Sequence, residues 1–383
     1  MYTRRAPPDT SHVASSPDVM APQDLSLPTL DLRLVARRAA LPLALAAAAA
    51  AVLLLAGGPL QVMSDALSRA LSADPAWIAV GAAAELLSFG GYIALFWLVG
   101  HRATPRLDLR AGAEITLGGA AATRLIPTAG VGGAALTMWA IARTGIGPKR
   151  AGRTLLTFLS LLYGAFLLGI AVSGGVIALG LAGDSGNRAV AGAASLAAAT
   201  AMIVGYLLSL RSREAAEDAG RAARGAVLLG SAIREARGLL RRGDARLLGA
   251  PMWWAFDAAV LWAAFHALGE PPALGVLAFA YFAGQVGNTI PLPGAVSGGM
   301  VGTLLAFGVA PDLALTAVLA YRAVAIWLPA PIGLAALGAL RSRIARWGRE
   351  DADAAELVEV IVSAPRIHSG QRSVLPCSCA GSA

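Results

Sequence analysis

Four ionisable side chains lie inside runs that are otherwise apolar: Glu85, Arg124, Asp257 and Arg322. A charge at membrane depth is costly unless it is paired or hydrated, so each is a candidate for function. One account pairs the two acids with the two bases inside a helix bundle. Another turns the arginines on an anionic head group, because a guanidinium is a planar fork that matches a phosphate with two hydrogen bonds. A third makes Glu85 and Asp257 a general acid and base, which would need Arg124 or Arg322 beside them to bind the reacting oxygen.

A second pattern is made of backbone breakers. Residues 126–133 read IPTAGVGG and residues 290–299 read IPLPGAVSGG, each inside a segment apolar enough for membrane depth. Proline removes a backbone donor and glycine weakens a helix. In lipid, a broken backbone persists only where protein or a watery cavity covers it. The breaks therefore nominate Pro127, Gly130, Gly132 and Gly133, and then Pro291, Pro293, Gly294, Gly298 and Gly299, as substrate-binding positions. Arg124 stands before Pro127 as Asn288 stands before Pro291, so both join the set with Arg322. Half-helices starting near Gly133 and Gly299 would aim their positive N-terminal ends at an anion near the midplane.

Composition names the kind of element that must hold these residues. The 383-residue chain is 57% hydrophobic and 14% charged, with mean hydropathy +0.65, where soluble domains are about a quarter charged. Apolar runs at 41–60, 77–99, 153–182, 189–210, 248–268 and 313–340 match the ~20 residues of a membrane-spanning helix. The expected fold is an all-α polytopic transmembrane bundle. A net charge of +8 and a pI near 10.3 do not point to nucleic acid, because the arginines flank apolar spans as the positive-inside bias requires. Membrane lipids, anionic in head group, are the expected partners. Cys377 and Cys379 and the scattered His12, His101, His266 and His368 form no four-ligand set. No metal, cofactor, catalytic residue or enzyme activity is expected.

Arg33, Arg37 and Arg38 put the N-terminus in the cytoplasm of a cell-membrane protein. Basic HRATPRLDLR and RTGIGPKRAGR flank the segment 113–142, so both its ends belong inside. A leg of about 14 residues at ~1.5 Å each reaches ~20 Å, short of the ~30 Å hydrocarbon core. The segment reads as a re-entrant hairpin. Segment 273–308 reads as a second hairpin from the opposite face, or as a full crossing, giving six spans plus two hairpins or eight spans. Span, hairpin, span then recur in inverted orientation over about 77–210 and about 248–340, as in transporters with midplane sites.

Around this core, 1–34 reads as a disordered cytoplasmic tail without a signal peptide, and 346–383 as a second cytoplasmic tail. The cytoplasmic loop 211–247 carries nine arginines. Its stretch GSAIREARGLLRRGDAR is basic and amphipathic, a solvated face or one resting on anionic lipid.

The paired breaks, with LTMWAIARTGIGPKRA after the first and LLAFGVAPDLALTAVLAYRAVAIWLP after the second, resemble the lysylphosphatidylglycerol synthase transmembrane-region family. The resemblance covers about 35–345, the transmembrane domain. It implies movement of lipid between leaflets, not lipid synthesis. A non-transporting assembly or regulatory subunit is the alternative, and a membrane-embedded lipid-modifying enzyme is a third reading. Sidedness is directly testable. Cysteines placed at 102 and 149 should both resist an impermeant thiol reagent added to whole cells; labelling of one alone would mean that 113–142 crosses the membrane.

Overall fold

The structure, a computed structural model, describes Ser68 and residues 72–125, 131–182, 187–211, 220–269, 271–290, 292 and 294–363. The expected span 41–60, the break residues Pro127, Gly130, Pro291 and Pro293, and most of both tails lie outside these residues. For Arg124 the backbone alone is described.

Every regular element among the described residues is helical. The helices are α1 (Pro75–Ala103), α2 (Leu109–Leu125), α3 (Val131–Ala142), α4 (Pro148–Ala178), α5 (Arg188–Arg211), α6 (Arg221–Arg242), α7 (Gly249–Ala267), α8 (Leu274–Gln285), α9 (Ala295–Ala306), α10 (Pro311–Trp327) and α11 (Pro329–Ser363). Short 3-10 turns at Ala245–Leu248 and Val286–Thr289 precede α7 and follow α8. Five stretches are long and apolar enough to span: Pro75–Ala103, Pro148–Ala178, Arg188–Leu210, Ala245–Ala267 and Pro311–Glu356. The protein is an all-α membrane bundle.

Local sequence explains where the helices begin and end. Asp74 caps α1 by accepting from the Ala76 N–H at 2.8 Å, and Pro75 follows in the first turn, where its missing donor costs nothing. Pro148 and Pro311 open α4 and α10 in the same way. Gly243, at φ 67°, closes α6 in the left-handed conformation that a side chain would resist.

The expected span 313–340 is two helices meeting at Leu328, because Pro329 has no N–H with which to continue the ladder. Beyond it, α11 runs straight through the expected boundary at 345 to Ser363, with Ile344 and Trp347 buried. The arginine-rich loop 211–247 contains α6, which packs on α4 and α5. There Arg234 and Arg237 donate to the Ser209 carbonyl and hydroxyl at 2.8 and 3.1 Å. The Arg234 guanidinium thereby covers a carbonyl left open at the end of α5.

Without a hydrophobic drive between helices in lipid, close backbone approach supplies the packing. The most extensive contact is the antiparallel pair α1–α7. A Cβ on Gly249 would stand 2.2 Å from the Gly91 carbonyl oxygen, and one on Gly91 would stand 2.8 Å from Met252 Cβ. Both segments that carry the breaks are helical hairpins. In α2–α3, Gly133 presses on Thr123 and Gly119; in α8–α9, Gly284 lies against Met300 and Gly287 against Ala295. The α2 leg is also clamped by α11: Gly118 meets Leu337, Gly333 meets Leu117 and Ala121, and Arg343 grips Glu114 through two bonds of 2.6 and 2.7 Å. Arg106 ties the α1–α2 turn to Asp351.

The tight α1–α7 crossing predicts opposite outcomes for neighbouring glycines. Gly249→Ala should lower stability by about 1–3 kcal/mol through overpacking. Gly90→Ala, whose added carbon would meet nothing within 4 Å, should be neutral or mildly stabilising. Thermal unfolding in detergent reads both.

Candidate functional site

Asp257 lies on α7, 2% exposed, and three donors converge on one of its oxygens. Tyr281 donates to Oδ2 at 2.5 Å, Tyr321 at 3.0 Å and Gln285 Nε2 at 3.1 Å. Gln285 Nε2 also donates to the Tyr321 hydroxyl at 3.1 Å. The amide oxygen of Gln285 accepts from Asn288 Nδ2 at 2.7 Å. Thus α7, α8 and α10 meet at one carboxylate, and a chain of bonds leads from it to the tip of the second hairpin. Asn288 is exposed there, whereas Gln285 is buried.

The geometry follows from helical spacing. Tyr281 and Gln285 are four residues apart on α8, hence on one face. The switch to a 3-10 turn at Val286–Thr289 then brings Asn288 back over Gln285. Tyr321 reaches α7 from α10 as its neighbour Arg322 turns roughly 100° away around the helix. Arg322 is half-buried, and among the described residues it makes no ion pair and no hydrogen bond. The expected charge pairing of Arg322 with Asp257 or Glu85 is therefore replaced by neutral donors on Asp257.

Glu85 is fully buried on α1. Ser88 donates to the Trp253 carbonyl at 2.9 Å, and Gly81 packs against Val260 and Ala263. Between those contacts, one turn from each partner of the Ser88–Trp253 bond, Glu85 comes level with Asp257. The two intramembrane acids thus lie at similar height on the two helices of this crossing.

A shell of rings fixes the centre. Trp254 Nε1 donates to the Leu162 carbonyl at 2.7 Å, and its ring packs with those of Phe166 and Phe282. Gly169 has no Cβ because the Phe282 ring occupies that place, 2.2 Å away.

The nominated glycines divide by geometry. Gly133 and Gly299 sit where the legs of their hairpins touch; a Cβ on Gly299 would be 3.1 Å from Gly284 Cα. Gly294 holds φ 82° at the start of α9, and Gly298 faces open space. Gly132 is half-buried in α3. Sequence reasoning missed Tyr281 and Tyr321 outright. The available signal was the spacing of tyrosine and glutamine in AYFAGQ, a pair of polar tips on one face of an apolar helix.

Among the described residues no group of three or more His, Cys, Asp or Glu could hold a metal. Away from the membrane-spanning segments, Asp244 is pulled down to about 2 by hydrogen bonds from Arg246. It belongs to a basic end of the bundle shared by Arg102, Arg106, Arg110, Arg143, Lys149 and Arg150.

A family model described as the lysylphosphatidylglycerol synthase TM region matches residues 39–333. No curated protein matches the chain.

The shared oxygen predicts non-additivity. Tyr281→Phe and Tyr321→Phe should each cost about 1–3 kcal/mol, and the double variant should cost more than their sum, because after one loss the other donor takes up the shared acceptor. Asp257→Asn should destabilise by a similar amount. Unfolding midpoints in detergent measure all four, and a strictly additive pair would contradict the convergence.

Proposed function

The chain belongs to the lysylphosphatidylglycerol synthase transmembrane-region family, and on that premise we propose that it carries an anionic lipid or lipid-linked molecule between leaflets. The observation that supports this most is the hydrogen-bonded chain from buried Asp257 to the exposed tip of a broken hairpin. Stable packing does not call for a polar path at such depth, whereas passage of a head group through an apolar bundle does.

An inverted repeat fits many of the helix contacts. Pairing α1–α5 with α7–α11 in order, α1–α2 corresponds to α7–α8, α2–α3 to α8–α9, α3–α4 to α9–α10, α1–α4 to α7–α10, and α4–α7 to α10–α1; all of these pairs touch. The crossing of α1 with α7 maps onto itself, which puts Glu85 and Asp257 at the pseudo-twofold axis. In this reading each hairpin enters from its own face. The legs α3 and α9 have 12 residues each, about 18 Å of helix and too short to cross alone.

The basic end of the bundle is placed in the cytoplasm of a cell membrane, with both termini on that side. Arg322 and Arg124 are assigned to the head group, with the backbone donors of Gly130, Gly132, Gly294 and Gly298 at the hairpin tips. Glu85 and Asp257 hold the moving hairpin in place and release it. No covalent chemistry is assigned to any residue.

Proteoliposomes carrying fluorescent phosphatidylglycerol test the reading. Wild-type protein should expose inner-leaflet probe to an external quencher at least tenfold faster than empty vesicles do. Arg322→Gln and Gly294→Ala should insert normally yet lose most of that rate. Wild-type protein that moves neither anionic nor zwitterionic probes would favour a non-transporting subunit, and a change in probe mass would favour an enzyme.

A further inference from the structure

Between α4 and α8 runs a groove of about 610 Å³ lined by Val172 and Val176 on one wall and Leu274, Ala278 and Phe282 on the other. None of its lining side chains is charged. At one end it joins, through Ala182 and Ala273, a second cavity of about 580 Å³ beneath the loops around Pro272 and Gly308. Its other end stops at Phe282, which is seated against Gly169. The next residue back along the chain is Tyr281, whose hydroxyl binds Asp257.

We propose that this groove is a slot for one acyl chain of a membrane phospholipid. The assignment rests on the lipid-moving reading above. Its occupant follows from continuity with the lipid-facing surface: Val172 is 56% exposed, and Leu274 (67%) and Leu181 (72%) flank the opening, so the groove is a side branch of the surface that acyl chains already wet. The slot also points the right way. A chain lying in it ends beside Phe282, which holds its lipid next to the Asp257 centre and the tip of the second hairpin.

Photo-crosslinking tests the slot independently of transport. The full-length protein is reconstituted in phosphatidylglycerol vesicles containing a trace of phosphatidylglycerol with a diazirine in one acyl chain, and labelled peptides are mapped. Labelling should concentrate in 169–182 and 273–282. Val172→Trp and Ala278→Trp, which fill the slot from opposite walls, should each lower it at least fivefold, while Leu168→Trp, on the exposed surface outside the lining, should not. Labelling spread evenly over α5 and the other exposed helices would overturn the proposal, as would equal labelling in all three variants. A disulfide formed readily between cysteines at 172 and within 41–60 would overturn it too, by giving the groove to a helix of the same chain; Asp74 starts α1 close by, bonded to the Ala267 carbonyl at 2.9 Å. Slot labelling in a protein that transports nothing would keep the slot and sink the transport reading. Transport with no slot labelling would do the reverse.

Discussion

The need to satisfy one buried carboxylate governs how the second half of this bundle is assembled. Asp257 is nearly sealed from solvent, and Glu85 is fully buried on the helix across the α1–α7 crossing. A carboxyl oxygen in such a place demands donors, and three side chains from two further helices supply them. Because they share an acceptor, α8 and α10 are positioned by the same atom. If one donor shifts, the others must adjust.

That centre is possible only because glycine lets α1 and α7 approach so closely. The contacts of Gly91 with Gly249 and of Gly81 with Val260 draw two backbones together on either side of the acids. Small residues here do the work that apolar bulk does in a water-soluble core, since lipid gives no reward for burying apolar area. The same economy recurs in both hairpins, where Gly133 and Gly287 allow legs to touch. Among the described residues glycine serves both close helix contacts and left-handed backbone, as at Gly243 and at the φ 82° start of α9.

Much of this was legible in the sequence. Spans, breaks and the two acids stand out because a charge or a proline in an apolar run violates the expected pattern. Tyr281 and Tyr321 did not stand out, because an aromatic residue in an apolar helix reads as core, and its hydroxyl becomes informative only once a partner on another helix is known. The register that sets Glu85 level with Asp257 is likewise a property of the α1–α7 pair rather than of either helix. The division at Leu328 was signalled by Pro329 and Pro331 but was masked by unbroken hydropathy on both sides. The length of α11 was masked by the opposite effect: a polar, charged run after 345 looked like a tail, while Ile344, Trp347 and the pairs Arg343–Glu114 and Arg106–Asp351 hold it to the bundle.

The two halves differ in a way that bears on mechanism. Aligning the breaks on Ile126 and Ile290 sets Leu117 opposite Tyr281 and Ala121 opposite Gln285. Aligning Pro148 with Pro311 sets Phe158 opposite Tyr321. The first half thus has apolar groups wherever the second offers a donor to its acid. Its hairpin leg α2 is held instead by α11, through close glycine contacts and the two-bonded Arg343–Glu114 pair near the membrane edge. The second hairpin is tied to its bundle by bonds that a proton, a head group or water can replace one for one. Under the proposed inverted repeat and lipid movement, the hairpin held by exchangeable bonds is the one to move.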